Sequence, residues 1–472
     1  RLFGGRYLHS KPSPVAWKGS SLWRPCSFAL DLAKTDMKRR SSTLFVFLCI
    51  ITTQHITSHH LPTNIQSAQV RLQDPKRVIL VLAHELLIKS NKPKPKPITT
   101  STTTLITTSR TSQHSSSNQL FRRQNKMLAQ EPKQLMVGFK AVLNGCDDTP
   151  FANDQEKRAC ENVLTKLTSE ELEGAACASY AYWWMTKYDH GMSDEYMQRA
   201  QHAMALRECR RHYIGEGKKC NKTLAAIKEA LQYRLEYDME SIRSCIAPFE
   251  DFPFASTKTN LKHEKDGSFI TMEELKDMIL DELTNKQEMV VRGHSKEHSA
   301  ILYKHTRTAR TEETNPQAYL YANIYIAERG LAVNEFLSLG KQEKLLVIFN
   351  FRQYNSANSP PHHLHDIMTK MMSRTYPERL AKLILMEPSL WLRVGYKLVY
   401  PFLARDTRDK IAFLPNVQSE QRKRAVFGHL VDPEQATQHL LHDGKLTSPL
   451  DAKHFVMNVP FHQLYDDVPL VQ

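Results

Sequence analysis

The sequence predicts an α/β protein in which a helical N-terminal lobe precedes a domain built on a mainly parallel sheet. Leu345–Phe351 reads LLVIFNF, a nearly continuous apolar run of strand length. Such runs are typical of parallel strands that are covered on both faces. From residue 299 onward, short apolar runs alternate with helical segments, which is the order expected of βαβ units. Before residue 250, apolar positions instead follow a helical period.

The N-terminal lobe is predicted to contain three helices. Thr168 and Glu171 form a capping box that opens a helix running to about Tyr188. Ser193 caps a second helix, whose first turn is acidic and whose end is basic, as the helix dipole favours. Thr223–Met239 is the third, with its apolar side chains on one stripe.

The second half is predicted to alternate between strands and helices after a linker that contains one short helix, Met272–Leu283. The expected strands are Ser299–Lys304, Leu345–Phe351, Leu383–Met386 and Ile411–Leu414, and the expected helices between them are Asn315–Leu339, His362–Tyr376 and Ser389–Leu403. We divide the chain into a leader (1–126), a helical lobe (127–255), the α/β domain (256–430) and a C-terminal extension packing on that domain (431–472).

The positive charge of the chain is confined to its N-terminal quarter. The formal net charge is +14, but residues 1–126 carry 20 Lys and Arg against 4 Asp and Glu, whereas residues 127–472 carry 44 against 46. Because the larger part is nearly neutral, its composition does not indicate a nucleic-acid-binding face.

Residues 1–126 are expected to form a disordered leader. Residues 98–118 are rich in Ser and Thr, and Lys92–Pro97 (KPKPKP) is an extended, stiff and basic stretch. Met37–Ile51 resembles a signal peptide, with a charged start and an apolar run, but it lacks a small-residue cleavage site. Its apolar run is too short to span a bilayer, which needs about 20 residues.

The eight cysteines form no Cys-x-x-Cys pair. Six of them, from Cys146 to Cys245, are scattered through the helical region. This pattern favours buried free thiols of an intracellular protein over a disulfide framework.

The spacing of the glycines excludes three common enzyme signatures: the Gly-x-Ser-x-Gly elbow, the dinucleotide fingerprint and the P-loop. One zinc pattern remains, because His294-Ser-Lys-Glu297-His298 fits His-x-x-Glu-His. That chemistry requires a helix with both histidines on one face, whereas a predicted strand follows here. We therefore expect no catalytic residue, metal ion or cofactor, and a metal hydrolase is the remote alternative.

The most informative stretch is Tyr376–Leu414, in which polar groups flank an apolar helix. Ser389–Leu403 reads SLWLRVGYKLVYPFL, with apolar and aromatic residues on nearly every face. Such a helix is either buried in a core or alternates between a cavity and a membrane. The pattern alone leaves both interpretations open.

This stretch resembles the CRAL-TRIO lipid-binding domain, and within that family the yeast-type phosphatidylinositol/phosphatidylcholine transfer proteins. The matching features are Tyr376-Pro-Glu-Arg-Leu-Ala-Lys, the strand Leu383–Met386 with Pro388 after it, Lys397 through Pro401-Phe-Leu, and Thr407-x-x-Lys410-Ile. The likeness covers about residues 200–430 and is specific between 298 and 414. It implies a helical lobe, a sheet that forms the floor of an apolar cavity, and Ser389–Leu403 as a hinged gate helix over one lipid.

The resemblance also implies which residues bind the lipid. In family members that bind phosphatidylinositol, a Glu in Tyr-Pro-Glu-Arg and a Thr and Lys three positions apart hold the inositol phosphate. These roles fall on Glu378, Thr407 and Lys410, where Lys suits a phosphodiester as a point charge and Thr adds a donor. A purely structural ion pair between Glu378 and Lys410 is the alternative. The implied cavity and gate residues are Leu390, Trp391, Val394, Leu398, Phe402, Val347 and Phe349.

Departures from the family pattern narrow the range of expected ligands. Phosphatidylcholine binders carry hydroxyl side chains on the strand that matches Leu345–Ile348, which has none. The resemblance therefore favours an inositol lipid. The basic residue that the lobe adds to the head-group site stays open among Lys187, Arg207, Arg210 and Arg211.

The prediction is a monomeric, cytoplasmic, peripheral membrane protein that encloses one lipid, with phosphatidylinositol favoured, and transfers it between membranes. It would contact a membrane surface transiently and bind no nucleic acid. The alternatives are a carrier of a tocopherol- or retinoid-like hydrophobe and a lipid-sensing scaffold that transfers nothing.

Overall fold

The computed structural model describes residues 132–146, 149–187, 192–246, 258–305, 309–352, 354, 356–400, 405–414, 420–431 and 451–465. The predicted leader (1–126) and its signal-like segment Met37–Ile51 lie outside the described residues. The fold is mixed α/β, as predicted, with a helical N-terminal region and a five-stranded, mainly parallel sheet.

The N-terminal region is built from helices: α1 (Pro132–Cys146), α2 (Asp154–Leu164), α3 (Ser169–Ala176), α4 (Tyr180–Lys187), α5 (Asp194–Gly215), α6 (Cys220–Glu236) and α7 (Met239–Ser244). Two predicted caps are confirmed. The Thr168 hydroxyl accepts from Glu171 N at 3.2 Å while the Glu171 carboxylate accepts from Thr168 N at 3.0 Å. The Ser193 hydroxyl accepts from Tyr196 N at 3.3 Å. The six cysteines of this region are free thiols, four of them buried.

The single helix predicted from Thr168 to Tyr188 is wrong, because the chain forms two helices, α3 and α4. The second one starts on a tertiary contact. Glu335, on a distant buried helix, accepts hydrogen bonds from Tyr180 N (3.0 Å), Ala181 N (3.3 Å) and the Ser179 hydroxyl (3.2 Å). This carboxylate satisfies donors that the first turn of a helix leaves unpaired. The residues around the start of α4 do not indicate this cap, because Glu335 is distant in the sequence.

The linker predicted for residues 251–292 is also partly wrong. It contains an antiparallel hairpin of β1 (Lys258–Lys262) and β2 (Phe269–Thr271), and then α8 (Met272–Asp281), a π-helical turn (Glu282–Lys286) and β3 (Met289–His294). Only the helix was foreseen. The missed strands are short, and each of the three pairs with a single neighbour, so that few residues carry a β pattern.

The α/β domain continues as β4 (Ala300–His305), α9 (Pro316–Leu337), β5 (Leu345–Asn350), α10 (His362–Thr375), β6 (Leu380–Met386), α11 (Leu390–Val399), α12 (Arg405–Asp409), β7 (Ile411–Leu414) and α13 (Glu420–Leu430). The four predicted strands are confirmed within three residues at each end. The sheet order is β3-β4-β5-β6-β7, with β3 antiparallel to β4 and every later pair parallel.

Register divides the side chains of the sheet between two faces. Leu302, Val347, Leu383 and Ile411 form one row across four strands, and Lys304, Phe349, Leu385 and Phe413 form the next row on the same face. We call this the gate face. The opposite face carries the row Tyr303, Ile348, Ile384 and Ala412.

Helices α9 and α11 both lie on the gate face. A Cβ added to Gly330 of α9 would lie 3.3 Å from Leu345 Cδ1 and 3.8 Å from Val291 Cγ2, so α9 runs close above β3 and β5. The Tyr396 ring of α11 lies 4.7 Å from that of Phe413 on β7. Right-handed crossovers between adjacent parallel strands place successive helices on one face in this way.

The C-terminal segment returns to the buried side of α9 as α14 (Ala452–Asn458) and the residues that follow it. Arg329, which is fully buried, donates to the carbonyl oxygens of Phe455 (2.8 Å) and Val459 (2.6 Å) and lies 3.6 Å over the Phe455 ring. The guanidinium therefore satisfies carbonyl groups at the end of α14. In the part of the chain that the structure describes, no helix combines the length and apolarity needed to cross a bilayer.

Candidate lipid-binding site

The gate face carries an apolar cluster that is separate from the main core. Its buried members are Phe351, Leu383, Leu385, Leu392 and Tyr396. Val347 and Phe349, which the resemblance assigned to a cavity, pack against this cluster but are only half-buried. Val347 also touches the main core, so it lies between the helix α9 side and the helix α11 side of the face.

Helix α11 begins where the gate helix was predicted. The Ser389 hydroxyl accepts from Leu392 N at 3.2 Å and caps it. Val394 is half-buried, whereas 59% of Leu390 is exposed, so that Leu390 points away from the sheet. The side chains of Trp391 and Leu398, and Phe402 as a whole, lie outside the described residues.

The predicted head-group residues meet at the amino ends of β6 and β7. Lys410 Nζ lies 3.3 Å from Glu378 Oε2, and the two side chains are 16% and 11% exposed. Thr407 is buried, and its carbonyl accepts from Lys410 N at 3.2 Å. The structure thus brings Glu378 and Lys410 together from two separate parts of the chain, and Thr407 lies one helical turn before Lys410.

Backbone pairing holds the two loops in place. The Arg379 carbonyl accepts from Leu345 N at 2.8 Å, and the Lys410 carbonyl accepts from Leu383 N at 2.7 Å. The first loop therefore enters the sheet at the residue after Glu378, and the second enters it at Lys410 itself. Glu378 has a φ of +55°, in the left-handed region that non-glycine residues rarely adopt. Such strain is retained only where the surrounding structure fixes it.

The neighbours of Glu378 in its motif anchor this loop to the helical lobe. The Tyr376 hydroxyl donates to Glu328 Oε1 at 2.5 Å, and Arg243 Nε donates to Glu328 Oε2 at 2.6 Å. Burial opposes ionisation of Glu328, but Arg243 and Arg234 hold the pKa of its carboxyl below the ordinary value. Helices α6, α7 and α9 therefore meet on one buried carboxylate that also holds Tyr376.

Arg379 anchors the other side of the loop. It lies 3.8 Å from Glu208 on α5, and it donates to the Glu343 carbonyl at 3.4 Å. Burial, and then repulsion by Arg211, lower the pKa of Arg379 to about 10. The contacts of Arg379 with Glu208 and Glu343 were not predicted, because a buried carboxylate has no signature in a single sequence.

The four basic residues proposed from the lobe have carboxylate partners. Arg207 and Arg211 pair with Glu343, Arg210 lies 3.0 Å from Glu156, and Lys187 lies 2.8 Å from Glu240. Although burial opposes it, the charges of Arg211 and Arg207 lower the pKa of Glu343 to about 2. The contacts with Glu343 give Arg207 and Arg211 a role in joining α5 to the chain just before β5. Arg210 joins α5 to α2, and Lys187 joins α4 to α7.

The zinc pattern does not have the local structure that its chemistry needs. His294 ends β3 and His298 lies in the turn to β4, with a φ of +58°, and Ser295 N donates to Ser299 O at 2.8 Å. The two histidines therefore sit in a hairpin rather than on one face of a helix. Among the described residues, no group of three or more His, Cys, Asp or Glu side chains is placed to hold a metal ion.

Comparison with known proteins agrees with this geometry. The family model of the CRAL/TRIO domain matches residues 284–440, a span that includes β3 to β7, α11 and the Glu378–Lys410 pair. This segment therefore matches the CRAL/TRIO domain that its motifs implied.

Among solved structures, the crystal structure of Sfh5 is similar to this chain at 14% sequence identity, with a TM-score of 0.39. The similarity covers 58% of this chain and 85% of Sfh5. No curated protein sequence shows significant similarity to the chain.

Proposed function

We propose that this protein encloses one molecule of phosphatidylinositol between the gate face of its sheet and helix α11, and transfers it between membranes. The observation that supports this most directly is the pairing of two environments. Half-buried Val347 and Phe349 border an apolar cluster, and Glu378, Thr407 and Lys410 converge where β6 and β7 begin. An amphiphile fits such an arrangement, with its chains on the sheet and its head group at the strand ends.

The mechanism is removal of apolar surface from water. Exposure of an acyl chain costs about 0.8 kcal/mol per CH₂ group, so free diffusion of a lipid through water is very slow. A protein that covers the acyl chains keeps them out of water and so removes this free-energy cost. No bond is made or broken, and α11 would act as the gate through which the lipid enters and leaves.

The side chains around the pair favour an inositol phosphate over a choline head group. Strand β5 is Leu345–Asn350, and none of its residues has a hydroxyl group. Lys410 supplies a cation for a phosphodiester, and Glu378 can accept hydrogen bonds from ring hydroxyls. A structural ion pair would account for the distance of 3.3 Å, but it gives no reason for a half-buried apolar row beside it.

The decisive measurement is the identity of the lipid that purifies with the protein, determined by mass spectrometry. Phosphatidylinositol is expected in the wild type at about one molecule per chain, and at least tenfold less in Lys410→Ala. Lys382→Ala is the matched control, because Lys382 is also a lysine of this sheet edge, with its ammonium 2.9 Å from the Asp409 carbonyl. It should retain the lipid.

Three results would contradict the proposal. A tocopherol- or retinoid-like ligand would show a carrier of another hydrophobe. An empty protein that still folds would show a scaffold. Equal lipid content in Lys410→Ala and Lys382→Ala would leave the Glu378–Lys410 pair a structural one.

We further propose that the protein lies in the cytoplasm, peripheral to membranes, and that it acts as a monomer.

The outer surface of α11 suits contact with a membrane. Leu390 and Tyr400 are exposed large side chains on or beside this helix, at 59% and 43%, and Lys397 and Arg405 are exposed near them. Apolar side chains flanked by cations are typical of segments that lie in an anionic membrane interface. This surface would bring the gate to the lipid that it admits.

A further inference from the structure

A second concave site lies apart from the gate face. It is a groove of about 730 Å³ between α6, the β1–β2 hairpin, the start of α9, and α10. None of its lining residues belongs to the gate-face cluster. The volume is within the range of peptide and ligand sites, about 300–1,000 Å³.

The floor of this groove is aromatic. The Tyr233 and Tyr237 rings of α6 are nearly parallel, with centroids 6.2 Å apart and an interplanar angle of 15°, and both side chains are half-buried. Tyr321 of α9 lies behind them and receives a hydrogen bond from Gln317 at 3.2 Å. Burial, and next the charge of Glu236, raise the pKa of Tyr237 to about 12. Its phenol is thus a hydrogen-bond donor at neutral pH.

The rim of the groove carries carboxylates on two of its walls. Glu236 and Glu264 line it together with Lys262 and Lys370, and Glu229, also in the lining, is paired with Arg374 of α10 at 3.2 Å. Glu236 and Glu264 are exposed, on opposite walls, one on α6 and the other in the β1–β2 turn. The Lys262 ammonium lies 4.9 Å over the Phe269 ring, which is 63% exposed. Aromatic faces between carboxylates suit a peptide that carries both apolar rings and positive charge.

The chain itself contains a segment of that chemistry. Lys92–Pro97 alternates Lys and Pro, and it lies outside the described residues. The 34 residues from 98 to 131 separate it from the start of α1, and such a tether can reach up to roughly 110 Å when extended. Nothing in the lipid function uses this segment.

We propose that Lys92–Pro97 docks in the tyrosine groove of its own chain as a polyproline II helix. This helix has three residues per turn and a rise of about 3.1 Å, so each of its edges presents a Pro and a Lys about 9 Å apart. The proline rings pack on Tyr233 and Tyr237, and the lysine ammonium groups meet Glu236 and Glu264. Its carbonyls, which have no partners within the helix, accept from tyrosine hydroxyls. Docking of proline-rich segments in aromatic-lined grooves is a recurring mode of recognition.

The first test is zero-length cross-linking of the full chain with a carbodiimide, which joins a carboxylate to an amine only where the two are in contact. Peptide mapping is expected to find Lys92, Lys94 or Lys96 joined to Glu236 or Glu264. An equal mixture of unlabelled and ¹⁵N-labelled protein shows whether the link is within one chain. Links between isotopes would show docking by a second copy, and no link to the groove would show no docking. Either result overturns the proposal.

The second test uses a fluorescent peptide of residues 90–100. A full-chain variant with Lys92, Lys94 and Lys96 changed to Ser has no competing segment, and should bind the peptide at least tenfold more tightly than the wild type. Equal binding would show that the wild-type groove is empty, and would overturn the proposal. Adding Glu236→Lys and Glu264→Lys to that variant should abolish binding of this peptide. The same variant should bind a peptide with Glu at the three Lys positions, which distinguishes a loss of charge complementarity from a loss of folding.

Discussion

At the scale of single residues, the Tyr376-Pro-Glu-Arg379 motif performs two tasks. Tyr376 is held by Glu328 of α9 and Arg379 by Glu208 of α5, while Glu378 between them faces Lys410. The motif was recognised from the sequence because it resembles a family pattern. Its anchoring role was not, because Glu208 and Glu328 are far from it in the chain and become neighbours only through folding.

Removal of the Tyr376 hydroxyl should destabilise the protein more than removal of an exposed one. Tyr376→Phe leaves the buried carboxylate of Glu328 with one donor fewer, and hydrogen bonds to charged groups contribute about 1.5–3 kcal/mol. Tyr400→Phe is the control, because Tyr400 is 43% exposed. Urea denaturation of both variants measures the difference. Equal midpoints would show that this bond does not stabilise the fold.

The stability of the protein should fall in acid partly through Glu343. Its folded-state pKa of about 2 lies below the ordinary value of 4.5. This group therefore stabilises the fold above about pH 4.5, and the contribution is lost as the pH falls toward 2. In Glu343→Gln, the loss of stability between pH 5 and pH 3 should be smaller than in the wild type. Melting temperatures across that range check this, and an unchanged slope would contradict it.

At the scale of elements, helix α4 shows how a tertiary contact can divide a segment that the sequence presents as continuous. Its first turn is capped by Glu335 of α9 rather than by a neighbouring residue. By contrast, α3 and α5 begin at local caps, Thr168 and Ser193, and both were predicted. Local hydrogen bonds are encoded within four residues, whereas a cap from another helix is not.

The two kinds of cap should differ in their effect on stability. Glu335→Ala leaves three donors at the start of α4 without their buried acceptor, at about 1–3 kcal/mol for each unsatisfied group. Glu171→Ala removes one arm of the α3 capping box and a surface ion pair with Lys228, and should cost about 1 kcal/mol. Thermal unfolding of the pair tests this, and a larger loss in Glu171→Ala would refute the tertiary cap.

At the scale of the whole molecule, one face of the sheet carries both the apolar cluster and helix α9, which joins the domain to the helical lobe. Helices α9 and α11 lie on the gate face. Buried ion pairs tie α9 to α6 and α7, and the start of β6 to α5. The lobe thus fixes the loop that carries Glu378. Helix α11 presents one side to the sheet and exposes Leu390 on the other.

Exchange of lipid should therefore depend on the outer side of α11 without any change in the lipid bound. Leu390→Asp puts a charge where an apolar side chain would enter the membrane, and should reduce transfer between anionic vesicles at least fivefold. The content of purified lipid should stay at the wild-type level, because Leu390 points away from the sheet. Loss of bound lipid together with transfer would instead place Leu390 in the site. Asp substitution of Leu235, exposed at 73% on α6, is the control.

The sequence by itself determined the α/β class, the four parallel strands, the local helix caps and the family motif, because each depends on residues within a few positions of one another. Tertiary structure decided the rest. It placed Glu378 beside Lys410 from loops 32 residues apart, divided α3 from α4 through Glu335, and turned the zinc pattern into a hairpin. It also placed Tyr233, Tyr237 and Tyr321 along the second groove. Burial and register create these sites, and neither is a property of a local stretch of chain.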